Sequence, residues 1–178
     1  MRSLAEFVAE RDPQLLGVCE IDAGDALALA TRFARQWAYR GRQALFWNDA
    51  FHARSVRDAY LPFRAAKPFD RRGLLRLEGS LGARETTLFA TQFSTLREQR
   101  IPELRFARAQ VRGTGASVLF AHLAPPHRRF ADLGYVDASG AQDGDERLFV
   151  RGFRVESAVR EDAPRGLGAP LRATVAII

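Results

Sequence analysis

Three carboxylates gather at one turn of the chain. Glu20 follows the apolar run Leu15–Cys19, and Asp22 and Asp25 come soon after it. Hard oxygen donors so close together could form a weak divalent-cation site. They read equally as a strand-end carboxylate paired with a nearby arginine, beside aspartates that cap the next helix. Gln92 ends a run rich in β-branched and aromatic residues. An amide cannot transfer a proton, so a structural hydrogen bond is its expected role. His122 ends a further apolar run. A histidine titrates near neutral pH, but no carboxylate lies beside this one in sequence to orient it. His52 and His127 sit in polar stretches and read as solvated. Cys19 lies in an apolar segment and reads as an inert core thiol. As the single cysteine, it excludes an intramolecular disulfide.

Arginine supplies the opposite charge. Of 27 basic residues only Lys67 is lysine, and 21 acids leave a net charge of +6. A GC-rich genome explains arginine in place of lysine; a nucleic-acid-binding surface is the other explanation. Arg97, Arg100, Arg105, Arg108 and Arg112 lie on or beside one helical segment. Some share a face at i, i+3/i+4 spacing, which would suit contacts to phosphate or nucleic acid. Glu98 and Glu103 dilute that stripe and favour a solvated face. Arg71 and Arg72 form a smaller basic patch. Phe46, Trp47 and Phe51 could stack bases, with core packing the leading reading.

The elements that must position these groups follow from periodicity. Helices are expected over residues 1–11, from Asp25 to Trp37, and from Pro102, as first helical residue, to about Val111. Strands are expected at Leu15–Cys19, Ala44–Trp47, Leu74–Leu77, Thr86–Phe93, Val118–Phe120, Leu148–Val150, Val155–Val159 and Leu171–Ile177. Residues 48–72 read as mixed and turn-rich. Gly82 marks a hairpin turn, and Pro125-Pro126 ends a strand. Consecutive strands at 74–93 and 148–177 exclude simple βαβ winding. The order implies an α/β or α+β chain with at least one mixed or antiparallel sheet.

The length of 178 residues allows a single domain spanning 1–178. With 47% hydrophobic and 27% charged residues, wholesale disorder is excluded. The amino terminus carries charges throughout and no apolar core stretch, so a signal peptide is not expected. No run is long enough to cross a bilayer. A cytoplasmic protein without a membrane partner is the expectation.

Four ordered stretches carry a resemblance. They are AEFVAERDPQLLGVCEID, TLFATQFSTLREQRIPELRFARAQV, SVLFAHLAPPHRRFADLGYVDA and ERLFVRGFRVESAVREDAPRGLGAPLRATVAI. Together they resemble the endonuclease/exonuclease/phosphatase superfamily of metal-dependent phosphodiesterases along nearly the whole chain. The resemblance implies an α/β four-layer sandwich, two packed mixed β-sheets flanked by helices, here lacking the first strand. It also implies a divalent ion held by an Asn on that first strand and a Glu on the second. The family adds an Asp and an Asn that orient water and phosphate, a His after a Thr, and a terminal Asp-His pair.

Mapped onto this chain, Glu20 matches the metal-binding Glu. Gln92 stands where the family has His. Ala121, His122, Leu123 and Ala124 replace Gly-Asp-Phe-Asn, and Glu146 sits near the Asp of the Ile-Asp strand. Gly166, Leu167 and Gly168 occupy the Ser-Asp-His positions, and no histidine follows His127. Glutamine, glycine and leucine supply neither a base nor a magnesium ligand, and a positioned acid or base is worth roughly 10²–10⁴-fold. The leading expectation is therefore a degenerate, non-catalytic domain that binds phosphate or nucleic acid and needs no cofactor. The alternatives are a residual Mg2+-dependent phosphodiesterase built on Glu20 and a structural or interaction module. A sheet edge left open by the absent strand further suggests a homodimer.

Overall fold

The computed structural model describes residues 4–33, 35–62, 72–122, 128–139, 145–161 and 170–178. Helix α1 (Leu4–Arg11), strand β1 (Leu15–Cys19) and helix α2 (Ala23–Arg32) open the chain. Strands β2 (Gln36–Arg40), β3 (Gln43–Trp47), β4 (Phe51–Tyr60), β5 (Gly73–Leu81) and β6 (Arg84–Gln92) follow. Helix α3 (Arg97–Val111), strand β7 (Ala116–His122), the short helix α4 (Arg128–Ala131) and strand β8 (Val136–Asp137) come next. Strands β9 (Glu146–Arg151), β10 (Phe153–Arg160) and β11 (Leu171–Ile177) complete it.

A six-stranded mixed sheet of order β4-β5-β6-β7-β9-β8 forms the centre, with β6 and β7 parallel. Alternation along its strands divides the core, because successive side chains of a strand point to opposite faces. Leu75, Leu77, Leu88, Ala90, Val118, Leu148 and Val150 line one face. Leu74, Phe89, Leu119, Ala121 and Phe149 line the other and meet Leu104, Ala107 and Val111 of α3 and Phe130 of α4.

The first face is covered by two smaller sheets. One has the order β1-β3-β2, the other pairs β10 with β11. Leu15 of β1, Leu45 and Trp47 of β3, Val155 of β10 and Ala173 and Val175 of β11 share that core. The outer face of the three-stranded sheet, with Val18, Ala44 and Phe46, packs against Ala26, Leu29 and Ala30 of α2. The stacking is helix, sheet, sheet, helix, an α/β four-layer sandwich. β1 crosses close above β7 because residue 17 is glycine; a Cβ there would lie 2.5 Å from Cγ of Phe120. No helix among the described residues is long and apolar enough to cross a membrane.

Three sequence expectations are corrected. The helix expected from Asp25 to Trp37 ends at Arg32, and Trp37 belongs to β2, paired with Phe46. Residues 51–60, expected to be turn-rich, form the long edge strand β4. Helix α3 starts at Arg97, so Pro102 sits inside it rather than at its first position. Pro125, Pro126, His127, Ala124, Leu167 and Gly168 lie outside the described residues.

Candidate functional site

The parallel pairing of β6 with β7 sets Gln92 opposite His122. The antiparallel pairing of β7 with β9 sets His122 opposite Glu146. Strand β1 crosses above and delivers Glu20 to the same end of the sandwich. Glu20 has φ +61°, the left-handed region, which costs a non-glycine residue of order 1–3 kcal/mol and is held only by its surroundings. Ile21 N–H donates to the Arg42 carbonyl, fixing the segment after Glu20 against the β2–β3 turn. That turn is tight, with positive φ at both Gly41 and Arg42.

Three contacts define the polar cluster. Gln92 Nε2 donates to Glu20 Oε1 at 2.8 Å. Glu146 accepts from Arg160, whose Nη1 is 3.2 Å from Oε2 and whose Nη2 is 2.6 Å from the Glu146 carbonyl. His122 Nδ1 lies 3.6 Å from Glu146 Oε1. The carboxylate holds the imidazole above its ordinary value, outweighing the opposite effect of burial, and Glu20 and Asp145 add to it. Reciprocally, His122 holds Glu146 below its ordinary value against burial, with help from Arg160. Cys19 lies beneath, its thiol donating to the Thr91 carbonyl at 3.6 Å. Burial, first of all, pushes that thiol up to about 12, so it is not a nucleophile at neutral pH.

The coupling fixes a pH dependence. The contribution of His122 is complete below its ordinary value of 6.5 and is lost as pH rises through its raised value. That of Glu146 is present above 4.5 and is lost as pH falls through its lowered value. Wild type should therefore exceed His122→Gln in stability near pH 6, by up to about 1 kcal/mol for a partly exposed pair. The difference should shrink as pH rises from 6 to 9. Urea unfolding at the two pH values checks this, and a pH-independent difference would contradict it.

Beside the cluster opens a cleft of about 340 Å³. Glu20 and Gln92 form one wall and Arg42 and Arg72 supply positive charge. Ser94, Thr95 and Leu96 form the remaining wall with Gln99, at the amino-terminal end of α3. This loop is anchored from below. Glu103, fully buried, accepts from Ser94 N–H at 2.6 Å and from Arg72 Nε at 3.2 Å. Ser94 Oγ donates to Gln99 Oε1 at 2.9 Å and accepts from Leu96 N–H at 3.1 Å. Arg100 ties the Ser94 and Thr95 carbonyls at 2.6 and 2.7 Å.

No protein-family model matches the sequence, and no curated protein does. Solved structures do. An endonuclease/exonuclease/phosphatase family protein from Bacteroides thetaiotaomicron superposes with TM-score 0.81 at 13% identity, over 98% of this chain and 88% of its own. A mannosyl-6-phosphatase from the same organism gives 0.80 at 12%, over 98% and 89%. A humanized TDP2 of D. rerio gives 0.77 at 12%, over 97% and 89%. The chain has the endonuclease/exonuclease/phosphatase fold. At these identities the likeness is one of fold.

The divalent ion associated with that fold finds a poor donor set here. Among the described residues no three His, Cys, Asp or Glu side chains converge. Glu20 is engaged by the Gln92 amide and Glu146 by Arg160 and His122. Asp22 has turned away to cap α2, accepting from Asp25 N–H at 2.8 Å. Magnesium needs near-octahedral oxygen ligation, which these committed side chains do not offer. Among the described residues, the donor set does not fit the metal.

On this fold, the arginines of α3 separate into two kinds. Arg100 binds loop carbonyls, and Arg108 makes a two-point ion pair with Asp132, at 2.9 and 2.5 Å. Arg97 and Arg105 are exposed. Glu103 does not dilute a solvated stripe, because it points inward. Phe46, Trp47 and Phe51 are core residues, at 2%, 4% and 0% exposure. Sequence reasoning missed Arg42, Arg160 and the anchoring role of Glu103. The two-residue Gly41-Arg42 turn between strands was a local signal for the first; the others depend on distant partners.

Proposed function

We propose that this chain is a non-hydrolytic, phosphate-binding domain built on the endonuclease/exonuclease/phosphatase fold. The observation that carries the reading is the occupation of the carboxylates. The Gln92 amide and the Arg160 guanidinium hold oxygens of Glu20 and Glu146 that a divalent ion would need. The cleft keeps Arg42 and the amino-terminal turn of α3, groups that attract an anion without a metal, whereas Arg72 is held by Glu103 and Gln99. Of the residues at the mapped catalytic positions, Gln92, Ala124, Leu167 and Gly168 carry no proton-transfer group, and His122 is the one that does. Neighbours of this fold include a mannosyl-6-phosphatase, which is in keeping with a phosphate-bearing ligand.

One observation favours a second reading, residual phosphoesterase activity. His122 and Glu146 form an acid–base pair at the strand ends, and an imidazole raised above its ordinary value is a competent proton donor. The test is hydrolysis of p-nitrophenyl phosphate and bis(p-nitrophenyl) phosphate with magnesium, manganese or chelator. No rate above background is expected. Turnover abolished by Glu20→Ala would establish the metal-dependent reading, and metal-free turnover abolished by His122→Gln would establish the acid–base one.

A further inference from the structure

We infer that the seam between the two smaller sheets, bounded by β1 and β11, takes an extended peptide segment of another polypeptide, which adds to both sheets as a shared strand. The seam is a surface of its own, and the inference does not rest on the phosphate-binding reading.

The packing of the strands locates the seam. β3 lies over β5 and β6, and β1 lies one step further, over β6 and β7. The next position, over β7 and β9, carries no strand among the described residues. β11 follows, against β9, and is the strand of its pair that rests there. β1 pairs only with β3 and β11 only with β10, so one edge of each faces the other.

The ladders show which backbone groups look into the seam. Asn48 N–H donates to the Gln14 carbonyl. Bonded residues alternate with unbonded ones in an antiparallel pair, so Leu16 and Val18 bond to β3. Leu15, Gly17 and Cys19 turn their N–H and C=O groups the other way. Glu161 N–H likewise donates to the Pro170 carbonyl. Arg172 and Thr174 therefore bond to β10, and Leu171, Ala173 and Val175 turn theirs outward.

The side chains agree. β3, flanked on both sides, is buried at all five positions, whereas β1 is partly exposed at all five, although helices cover one of its faces and β6 and β7 the other. Leu15, Leu171, Ala173 and Val175 face the core of the sandwich and are only partly buried, as is Phe120 of β7. Glu161 ties the walls together, accepting from Arg11 at the end of α1 at 2.8 Å and from Arg172 of β11 at 2.6 Å. The two edges are thus set in place before any strand arrives, which lowers the cost of binding one.

This chemistry selects the occupant. Two facing rows of amides and carbonyls over an apolar floor are satisfied together by one extended backbone, which offers N–H and C=O groups on both edges. The lengths of β1 and β11, five and seven residues, set the length of the segment. Alternate side chains would be apolar toward Phe120, with polar ones outward beside Arg172 and Thr174. A second copy of this chain is a poor donor, because every strand among its described residues already has a neighbour along one edge.

The test is amide hydrogen exchange of the full chain, read residue by residue by NMR, with three capped peptides. KVTVTVK alternates apolar and polar residues, KVVTTVK has the same composition without the alternation, and KVPVPVK lacks two of the N–H donors. The amides of Gly17, Cys19, Ala173 and Val175 should exchange rapidly in the free chain. KVTVTVK should slow all four by about tenfold or more, and the other two peptides should not. Ala173→Pro removes an N–H that makes no bond to β10, so it should keep the native circular dichroism spectrum and lose the KVTVTVK effect. No protection by KVTVTVK, equal protection by all three peptides, or protection of one edge alone would each overturn the inference. So would slow exchange of the four amides in the free chain, which would show the seam already filled, by a second copy if light scattering gives a dimer and by the chain itself if it gives a monomer.

Discussion

Glu103→Ala should lower the unfolding free energy by about 3–5 kcal/mol, the range for removing one partner of a buried ion pair. The side chain is 0% exposed, and its two oxygens satisfy the Ser94 amide and the Arg72 guanidinium. Burial outweighs these donors and raises the carboxyl above its ordinary value, so the site tolerates the charge only because both partners are present. Alanine leaves an amide and a guanidinium facing a void. In a chain of this length roughly 2–4 °C of melting temperature follows each kcal/mol, so a drop of about 10 °C is expected. The same change frees the Ser94–Gln99 wall and should weaken phosphate binding. Urea unfolding followed by circular dichroism checks the first effect. A loss under about 1 kcal/mol would show that the Glu103 network does not anchor the loop.

Gly79→Ala should cost more than about 2 kcal/mol, in the range seen when atoms are forced into a filled core. Strand β4 carries a register irregularity between Ala53 and Ser55, opposite Gly79. There its backbone closes on β5. A Cβ at residue 79 would stand 2.2 Å from the His52 carbonyl oxygen and 2.7 Å from Cζ of the fully buried Phe51. A backbone carbonyl cannot rotate aside as a side chain would, so β4 must shift. Gly115→Ala is the control, since nothing lies within 4 Å of a Cβ there. It should fall within about 0.5 kcal/mol of wild type. Equal midpoints for the two variants in chemical denaturation would contradict the close approach.

The strands that could be read from sequence are those whose patterns are local. Leu15–Cys19 and Leu171–Ile177 appear with the expected bounds, and the β5–β6 hairpin turns at Gly82 as expected. β4 was illegible because it is an edge strand with one largely solvated face. Arg54, Arg57 and Asp58 interrupt its apolar residues, and only Phe51 is fully buried. Trp37 was drawn into α2 because the apolar residues Leu27, Leu29, Ala30, Phe33 and Ala34 run up to it at helical spacing. Pairing with Phe46 across β2 and β3 outweighs that propensity.

The site was legible as residue types but not as partners. Glu20, Gln92 and His122 were marked from sequence, and the fold brings them to one end of the sandwich. Glu146 orients His122 only through the β7–β9 register, across a stretch that includes α4 and β8. Glu103 looked like a surface acid of a charged helix, because its buried partners, Ser94 and Arg72, come from a loop and a preceding strand end. Spacing within one helix carries no information about either.

Inorganic phosphate affinity, measured for wild type and Glu20→Gln with magnesium and with chelator, bears most directly on whether protein donors have replaced the metal. Glutamine at position 20 keeps an oxygen for the Gln92 amide and removes the negative charge beside the anion. Relief of that repulsion at a partly solvated site is of order 1 kcal/mol, a severalfold gain in affinity. The expected result is wild-type affinity unchanged within twofold by magnesium and a severalfold tighter Glu20→Gln variant. Wild-type binding that requires magnesium and disappears in Glu20→Gln would show instead that Glu20 grips a cation.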